Sequence, residues 1–255
     1  MKITVLGSGT SQGVPIIGCR CKTCLSANPK DKRLRASVHV DVNGTGILID
    51  TSIDFRQQLL RAGITDLDAI LFTHHHVDHI FGLDDLRQIN QRHKKFVDVF
   101  GNKLTLDEIK VTFRYALDEE LISYWAVPLM NFNYLDNKEF EFRGVKIIPI
   151  EVFHGRVKIF GYRIGNFAYI TDASHIPEEE MRKLEGLDAL ILNSLRKAPH
   201  PTHFNVEQAT EIALKVKAKQ TYFTHITHDL NHDETNAGLP EGIQLAYDGL
   251  EINSD

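Results

Sequence analysis

The sequence predicts an α/β protein built as two β-sheets packed face to face, with helices on the outside. The first observation is an internal repeat. Gly46-Ile47-Leu48-Ile49-Asp50-Thr51-Ser52-Ile53 followed by Leu67-Asp68-Ala69-Ile70-Leu71 resembles Ala168-Tyr169-Ile170-Thr171-Asp172-Ala173-Ser174-His175-Ile176 followed by Leu187-Asp188-Ala189-Leu190-Ile191, with one two-residue gap. The second is that each copy reads strand, Asp turn, helix, strand, and a duplicated β-α-β unit buries its sheets against each other. The third is that several apolar strands end on His or Asp, so loops at one edge of both sheets would meet between the halves. No Pro-, Gly- or Ser-rich linker or composition shift divides the 255 residues, so residues 1–255 are read as one domain.

The elements follow in order. Met1-Lys2-Ile3-Thr4-Val5-Leu6-Gly7 is the first strand. The Gly7-Ser8-Gly9-Thr10-Ser11-Gln12-Gly13 loop after it is no dinucleotide-binding turn, because the third glycine of G-x-G-x-x-G falls on Gln12 and no helix follows. Lys30-Asp31-Lys32-Arg33-Leu34-Arg35 is locally basic and reads as a solvated loop, with phosphate steering as the alternative. Residues 54–61 form the helix of the first repeat, and Ala69-Ile70-Leu71-Phe72 is a strand. Residues 104–117 predict a helix, and the Tyr124-Trp125 pair reads as core packing in a stretch, 101–140, that fits no catalytic pattern. Residues 145–150 form a strand leading to His154, residues 167–171 one ending on Asp172, and residues 221–224 one delivering His225. Residues 177–184 form the second repeat's helix, with Pro177 and three glutamates in its first turn. Asn205 and Gln208 make a capping box for an amphipathic helix carrying Val206, Ala209, Ile212, Ala213 and Val216.

The chemistry concentrates in His74-His75-His76-Val77-Asp78-His79, directly after the strand 69–72. In an extended stretch side chains two apart point the same way, so His74 and His76 can grip one cation. Asp78 and His79, where the chain turns, can grip a second. His75 faces the other way. Two cations need further ligands, and the strand-end residues His154, Asp172 and His225 supply them.

All three cysteines lie in Cys19-Arg20-Cys21-Lys22-Thr23-Cys24. The odd count and the close spacing disfavour disulfides, whereas a closed tetrahedral zinc site needs only one more ligand. His228, three residues after His225, is that ligand. His203 lies just before the capped helix N-terminus, where anions are favoured, with His200 between Pro199 and Pro201 as the weaker alternative.

With these residues in view the chain resembles the metallo-β-lactamase superfamily, and within it the phosphoribosyl cyclic phosphate phosphodiesterases. The likeness runs through Gly13-Val14-Pro15, the C-x-C-x-x-C loop, the histidine cluster, His154, Asp172, Thr224-His225-Ile226-Thr227-His228 and Tyr247-Asp248-Gly249. Asn193-Ser194-Leu195-Arg196 departs from the family's run. The resemblance implies a four-layer αββα sandwich. It implies one metal on His74, His76 and His154, another on Asp78, His79 and His225, Asp172 bridging, and a structural zinc on Cys19, Cys21, Cys24 and His228. It further implies a hydrolase that opens a small, cyclic phosphodiester with two divalent cations, zinc or manganese, and with Asp78 and His203 as catalytic side chains. The alternatives are a lactonase, a thioesterase, a transfer-RNA 3′-end ribonuclease or a non-catalytic metal-binding protein.

A net charge of −5 gives no support for a general nucleic-acid binder. No stretch approaches about twenty apolar residues, and the apolar start is too short for a signal peptide. The expectation is a soluble, cytoplasmic protein whose partner is a small phosphodiester. The sequence also admits a homodimer.

Overall fold

The computed structural model describes residues 1–254. Sheet one contains β1 (Lys2–Gly7), β2 (Ser37–Val42), β3 (Thr45–Ile49), β4 (Ala69–Leu71), β5 (Val97–Gly101) and β6 (Met130–Tyr134), with the late strand β14 (Glu251–Asn253) paired outside β1. Sheet two contains β7 (Phe140–Phe142), β8 (Val145–His154), β9 (Val157–Ile164), β10 (Phe167–Ile170), β11 (Ala189–Asn193), β12 (Gln220–Thr224) and β13 (Ile243–Leu245) in spatial order. In each sheet antiparallel strands give way to parallel ones. The change falls at β3, which runs parallel to β4, and at β10, which runs parallel to β11. These are the repeated units.

Three apolar cores separate the layers. Ile47, Ile49 and Leu71 of sheet one meet Ile147, Ile164 and Ile191 of sheet two. The alternate residues point outward: Leu48 and Ile70 pack under Phe55 and Leu59 of the helix Phe55–Ala62, and Leu190 and Leu192 under Ala209 and Ala213 of the helix Val206–Val216. Strands buried on both faces must be apolar throughout, which is why they read as continuous apolar runs. The predicted αββα sandwich is the observed fold.

The Asn205 capping box forms as predicted. Asn205 Oδ1 accepts from the Gln208 backbone N–H at 2.9 Å, and Gln208 Oε1 accepts from the Asn205 N–H at 3.1 Å. Other helices are shorter than expected. The one over 104–117 is an α-helix only at Lys103–Thr112, because Phe113 leaves helical geometry to bury its ring, and a 3₁₀ turn follows at Arg114–Leu117. That over 177–184 is α-helical at Glu178–Met181 and 3₁₀ at Arg182–Leu184, a tightening that brings both Met181 and Leu184 into the core. Trp125 packs against the outer core of sheet one, but Tyr124 is exposed, so only half of that pair is core.

Asp50 and Asp172, equivalent in the repeat, both take left-handed backbone conformations, φ 64° and 59°, as does His225 at 56°. Such a φ costs a non-glycine residue about 1–2 kcal/mol, and Asp is among the few that adopt it readily. Each of these turns lifts its side chain into the same space.

Candidate metal centre

Four strand ends build the site. His74 and His76 follow β4, and His76 is the N-cap of the short helix Val77–Ile80, whose turn brings Asp78 and His79 back toward them. His154 ends β8, Asp172 follows β10 and His225 follows β12. The donor atoms fall into overlapping groups, each with its members within 4.8 Å of one another: His74, His76 and His154; His74, His79 and Asp172; Asp78, His79 and His225. The sequence-predicted ligands are thus all brought together. His75 joins none of these groups.

The spacing matches coordination. A cation about 2.0–2.2 Å from each of four ligands spaces their donors about 3.3–3.6 Å apart. His79 Nε2 lies 3.3 Å from Asp78 Oδ2 and 3.2 Å from Asp172 Oδ2. His225 Nε2 lies 3.6 Å from Asp78 Oδ2 and 3.2 Å from Asp172 Oδ1.

Hydrogen bonds behind the rings fix which nitrogen carries the proton. His154 Nδ1 is 2.8 Å from the Thr202 carbonyl, which can only accept, so Nδ1 donates and Nε2 is left with its lone pair. His79 Nδ1 donates to Asp50 Oδ2 at 2.7 Å. Thr73 Oγ1 donates to the same oxygen at 2.8 Å and so accepts from His74 Nδ1 at 3.0 Å. Asp50 therefore orients His79 directly and His74 through Thr73, the carboxylate arrangement common behind metal-binding histidines. Sequence reasoning missed this role of Asp50, although the repeat placed it opposite Asp172. His74 Nε2 and both ring nitrogens of His225 are buried without a hydrogen-bond partner. Bare donors around buried carboxylates are the chemistry a divalent cation answers.

Electrostatics agree. Burial alone would lower His79, yet Asp78, Asp172 and Asp50 around it hold it well above the usual imidazole range. Burial would raise Asp172, but His225 and His79 hold it well below the usual carboxylate range. The pocket draws positive charge to one place.

His203, which sequence reasoning placed beside the centre, reaches it. Its Nε2 is 3.1 Å from Asp172 Oδ1 and its Nδ1 3.0 Å from Thr202 Oγ1. Burial pushes it down to about 3, so at neutral pH it is an uncharged imidazole whose Nε2–H points at the centre. The same distance criterion that groups the ligands also joins it to His154 and Asp172. His200 stands behind it, its Nδ1 3.2 Å from Thr202 Oγ1 and 3.3 Å from the Thr202 backbone N–H.

The N-terminal loop forms a second cluster. Cys19, Cys21 and Cys24 Sγ lie 3.2, 3.3 and 3.6 Å from His228 Nδ1, a compact S₃N set of the kind zinc takes. The Cys24 backbone N–H helps lower Cys21 to about 7, while burial raises Cys24 to about 11. Because metal binding and folding are coupled at such sites, Cys21→Ser should lose zinc and lower Tm on the order of 10 °C while kcat changes little. Metal analysis with a melting curve checks this, and a variant that keeps both refutes the site.

The basic stretch 30–35 is not the solvated loop expected. Arg33 and Asp31 are fully buried and paired at 3.1 Å, because backbone carbonyls after His225 satisfy the guanidinium. Asn193 was also missed as a site residue. Its amide clamps Ala173, next to Asp172, donating to the carbonyl at 2.9 Å and accepting from the N–H at 2.8 Å.

The β-lactamase superfamily domain matches residues 45–226. A crystal structure of a diphosphatase from the PhnP family superimposes with a TM-score of 0.92 at 48% identity, covering 98% of this chain and 96% of that one. An octanoyltransferase of Porphyromonas gingivalis is 39% identical over all of this chain but over only 52% of its own length. A ribonuclease Z of Methanopyrus kandleri is 30% identical over 54% of this chain and 46% of its own. The chain therefore spans about half the length of these curated relatives. Among the described residues no helix is long and apolar enough to cross a membrane. With two β-α-β halves meeting at an H-x-H-x-D-H cluster, and with the domain match covering most of its length, the chain belongs to the metallo-β-lactamase superfamily of hydrolases.

Proposed function

We propose that the protein is a phosphodiesterase that opens a small phosphodiester, cyclic ones included, with two divalent cations, zinc or manganese. One cation is assigned to His74, His76 and His154, the other to Asp78, His79 and His225, with Asp172 between them and a structural zinc on Cys19, Cys21, Cys24 and His228. The observation that carries this is the convergence of ring nitrogens, bare of partners, on the Asp78 and Asp172 carboxylates. Cations there would supply Lewis acidity toward a phosphoryl oxygen and bring the pKa of a shared water toward neutrality. The rest falls to the chain. Asp50 and Thr73 keep His74 and His79 in the binding tautomer. Neutral His203, anchored by Thr202, presents an N–H that can meet charge developing on the substrate, a contribution that grows in a water-poor site.

The phosphodiester reading is further supported by the likeness to the PhnP-family diphosphatase at 48% identity. The octanoyltransferase name belongs to a protein with as much again beyond the matched part. The chain is read as one hydrolase unit. Its cysteines, free thiols gathered on one histidine, suit the reducing cytoplasm.

The test is a hydrolysis screen of chelator-stripped protein, before and after reloading with zinc or manganese, against cyclic phosphodiesters, linear phosphodiesters, lactones and thioesters. Metal-dependent turnover of phosphodiesters is expected. Turnover of lactones or thioesters alone overturns the substrate class, and activity indifferent to chelation overturns the metal assignment.

A further inference from the structure

The Asp31–Arg33 pair lies in the connection between β1 and β2, away from the donors of the metal centre, and burying both charges is costly unless each polar atom is matched. The matching is nearly complete. Arg33 donates from Nη1 to the Thr227 carbonyl at 3.0 Å, and from Nη2 to the Leu230 carbonyl at 2.7 Å and to Asp31 Oδ1 at 3.1 Å. Asp31 also accepts from the His232 backbone N–H and from Asn231 Nδ2, both at 2.8 Å. One pair thus fastens residues 227–232, the segment that His225 opens.

Thr227 carries the constraint further. Its N–H donates to the Leu195 carbonyl at 3.0 Å, the Leu195 N–H to the Phe204 carbonyl at 2.9 Å, and the Phe204 N–H to the Ala173 carbonyl at 2.8 Å. Each station adjoins the site: Thr227 lies between His225 and His228, Phe204 follows His203, and Ala173 follows Asp172. On the same flank of His225, the Ile226 N–H donates to the Ser8 carbonyl at 3.0 Å, and the Ile226 carbonyl accepts from the Thr10 N–H at 3.2 Å. Before His225 the Thr224 carbonyl accepts from the Ser194 N–H at 2.9 Å, so the left-handed turn is held from both sides.

We propose that Arg33, oriented by Asp31, is a positioning residue for the metal centre: through Thr227, Leu195, Phe204 and Ala173 it sets the mutual spacing of His225, His203 and Asp172. The inference rests on the metal centre proposed above. It requires the planar fork of a guanidinium, which serves two carbonyls and a carboxylate together as one ammonium does not.

The test uses the full chain and Co(II), whose thiolate charge-transfer band reports the cysteine site alone, so that Co(II) bound beyond saturation of that band reports the histidine and aspartate ligands. Titrations run below the Tm of each variant. Arg33→Met should weaken Co(II) binding at the histidine and aspartate ligands about 10- to 100-fold, the usual cost of removing an outer-shell support. Because His228 lies inside the segment Arg33 fastens, the cysteine-site band should weaken as well, and Arg33→Lys should rescue neither site. The double variant Asp31→Leu with Arg33→Met removes both buried charges and keeps the experiment readable should the single variant fold poorly. It should regain Tm without regaining affinity. Wild-type affinity in Arg33→Met, or recovery of affinity along with Tm in the double variant, makes the pair a stability element and overturns the inference alone. A wild-type protein that binds no Co(II) beyond what saturates the charge-transfer band overturns the metal centre and the inference with it.

Discussion

Asp172→Ala is expected to release the cations proposed for the histidine and aspartate cluster and leave only the zinc proposed for the cysteine site. Asp172 lies within 3.2 Å of His79, His203 and His225 together. Removing it leaves those rings facing one another with no anion between them. Cations in such sites supply several kcal/mol of charge stabilisation, and about 1.4 kcal/mol is a factor of ten, so phosphodiester turnover should fall on the order of 10³-fold or more. Elemental analysis alongside turnover of bis(p-nitrophenyl) phosphate checks this. Retention of the full metal complement in Asp172→Ala would remove it from the centre.

His203→Ala should separate chemistry from binding. Its Nε2 approaches Asp172 at 3.1 Å, but its other nitrogen is held by Thr202, and His225 already occupies a place on the same oxygen. A group that meets developing charge without holding the metal takes about 100- to 10,000-fold of rate with it when removed, and takes no metal. The expected result is therefore unchanged metal content, a KM shifted little and a kcat lowered by that factor. Loss of a cation in His203→Ala would make it a ligand, and full activity would end its role.

These two residues were legible in the sequence for different reasons. Asp172 stands in a repeat and closes an apolar strand, a signal within a dozen residues. His203 was found through the Asn205 and Gln208 capping box, which fixes a helix start from local chemistry alone. Asp50 had the same repeat signal, yet its task depends on Thr73 and His79 arriving beside it, over twenty residues on in the chain. Arg33 was the hardest to read. Lys30 and Lys32 before it and Arg35 after it give the local composition of a wet loop, and the carbonyls that take Arg33 inside lie 194 and 197 residues away. The helix over 104–117 broke where Phe113 gained more from burial than from one further helical turn. Local periodicity does not register that choice.

The wide separation between Cys19 and His228, 209 residues, sets an order of events during synthesis. A ribosome adding about 5–20 residues per second takes roughly 10 to 40 s to travel from one to the other. Throughout that interval the nascent chain displays three thiols with no imidazole to complete their set. The same delay governs the histidine and aspartate cluster, since His225 is made almost as late. A newborn chain therefore carries its softest ligands open for those seconds, and the set closes only when its last member, His228, has been made.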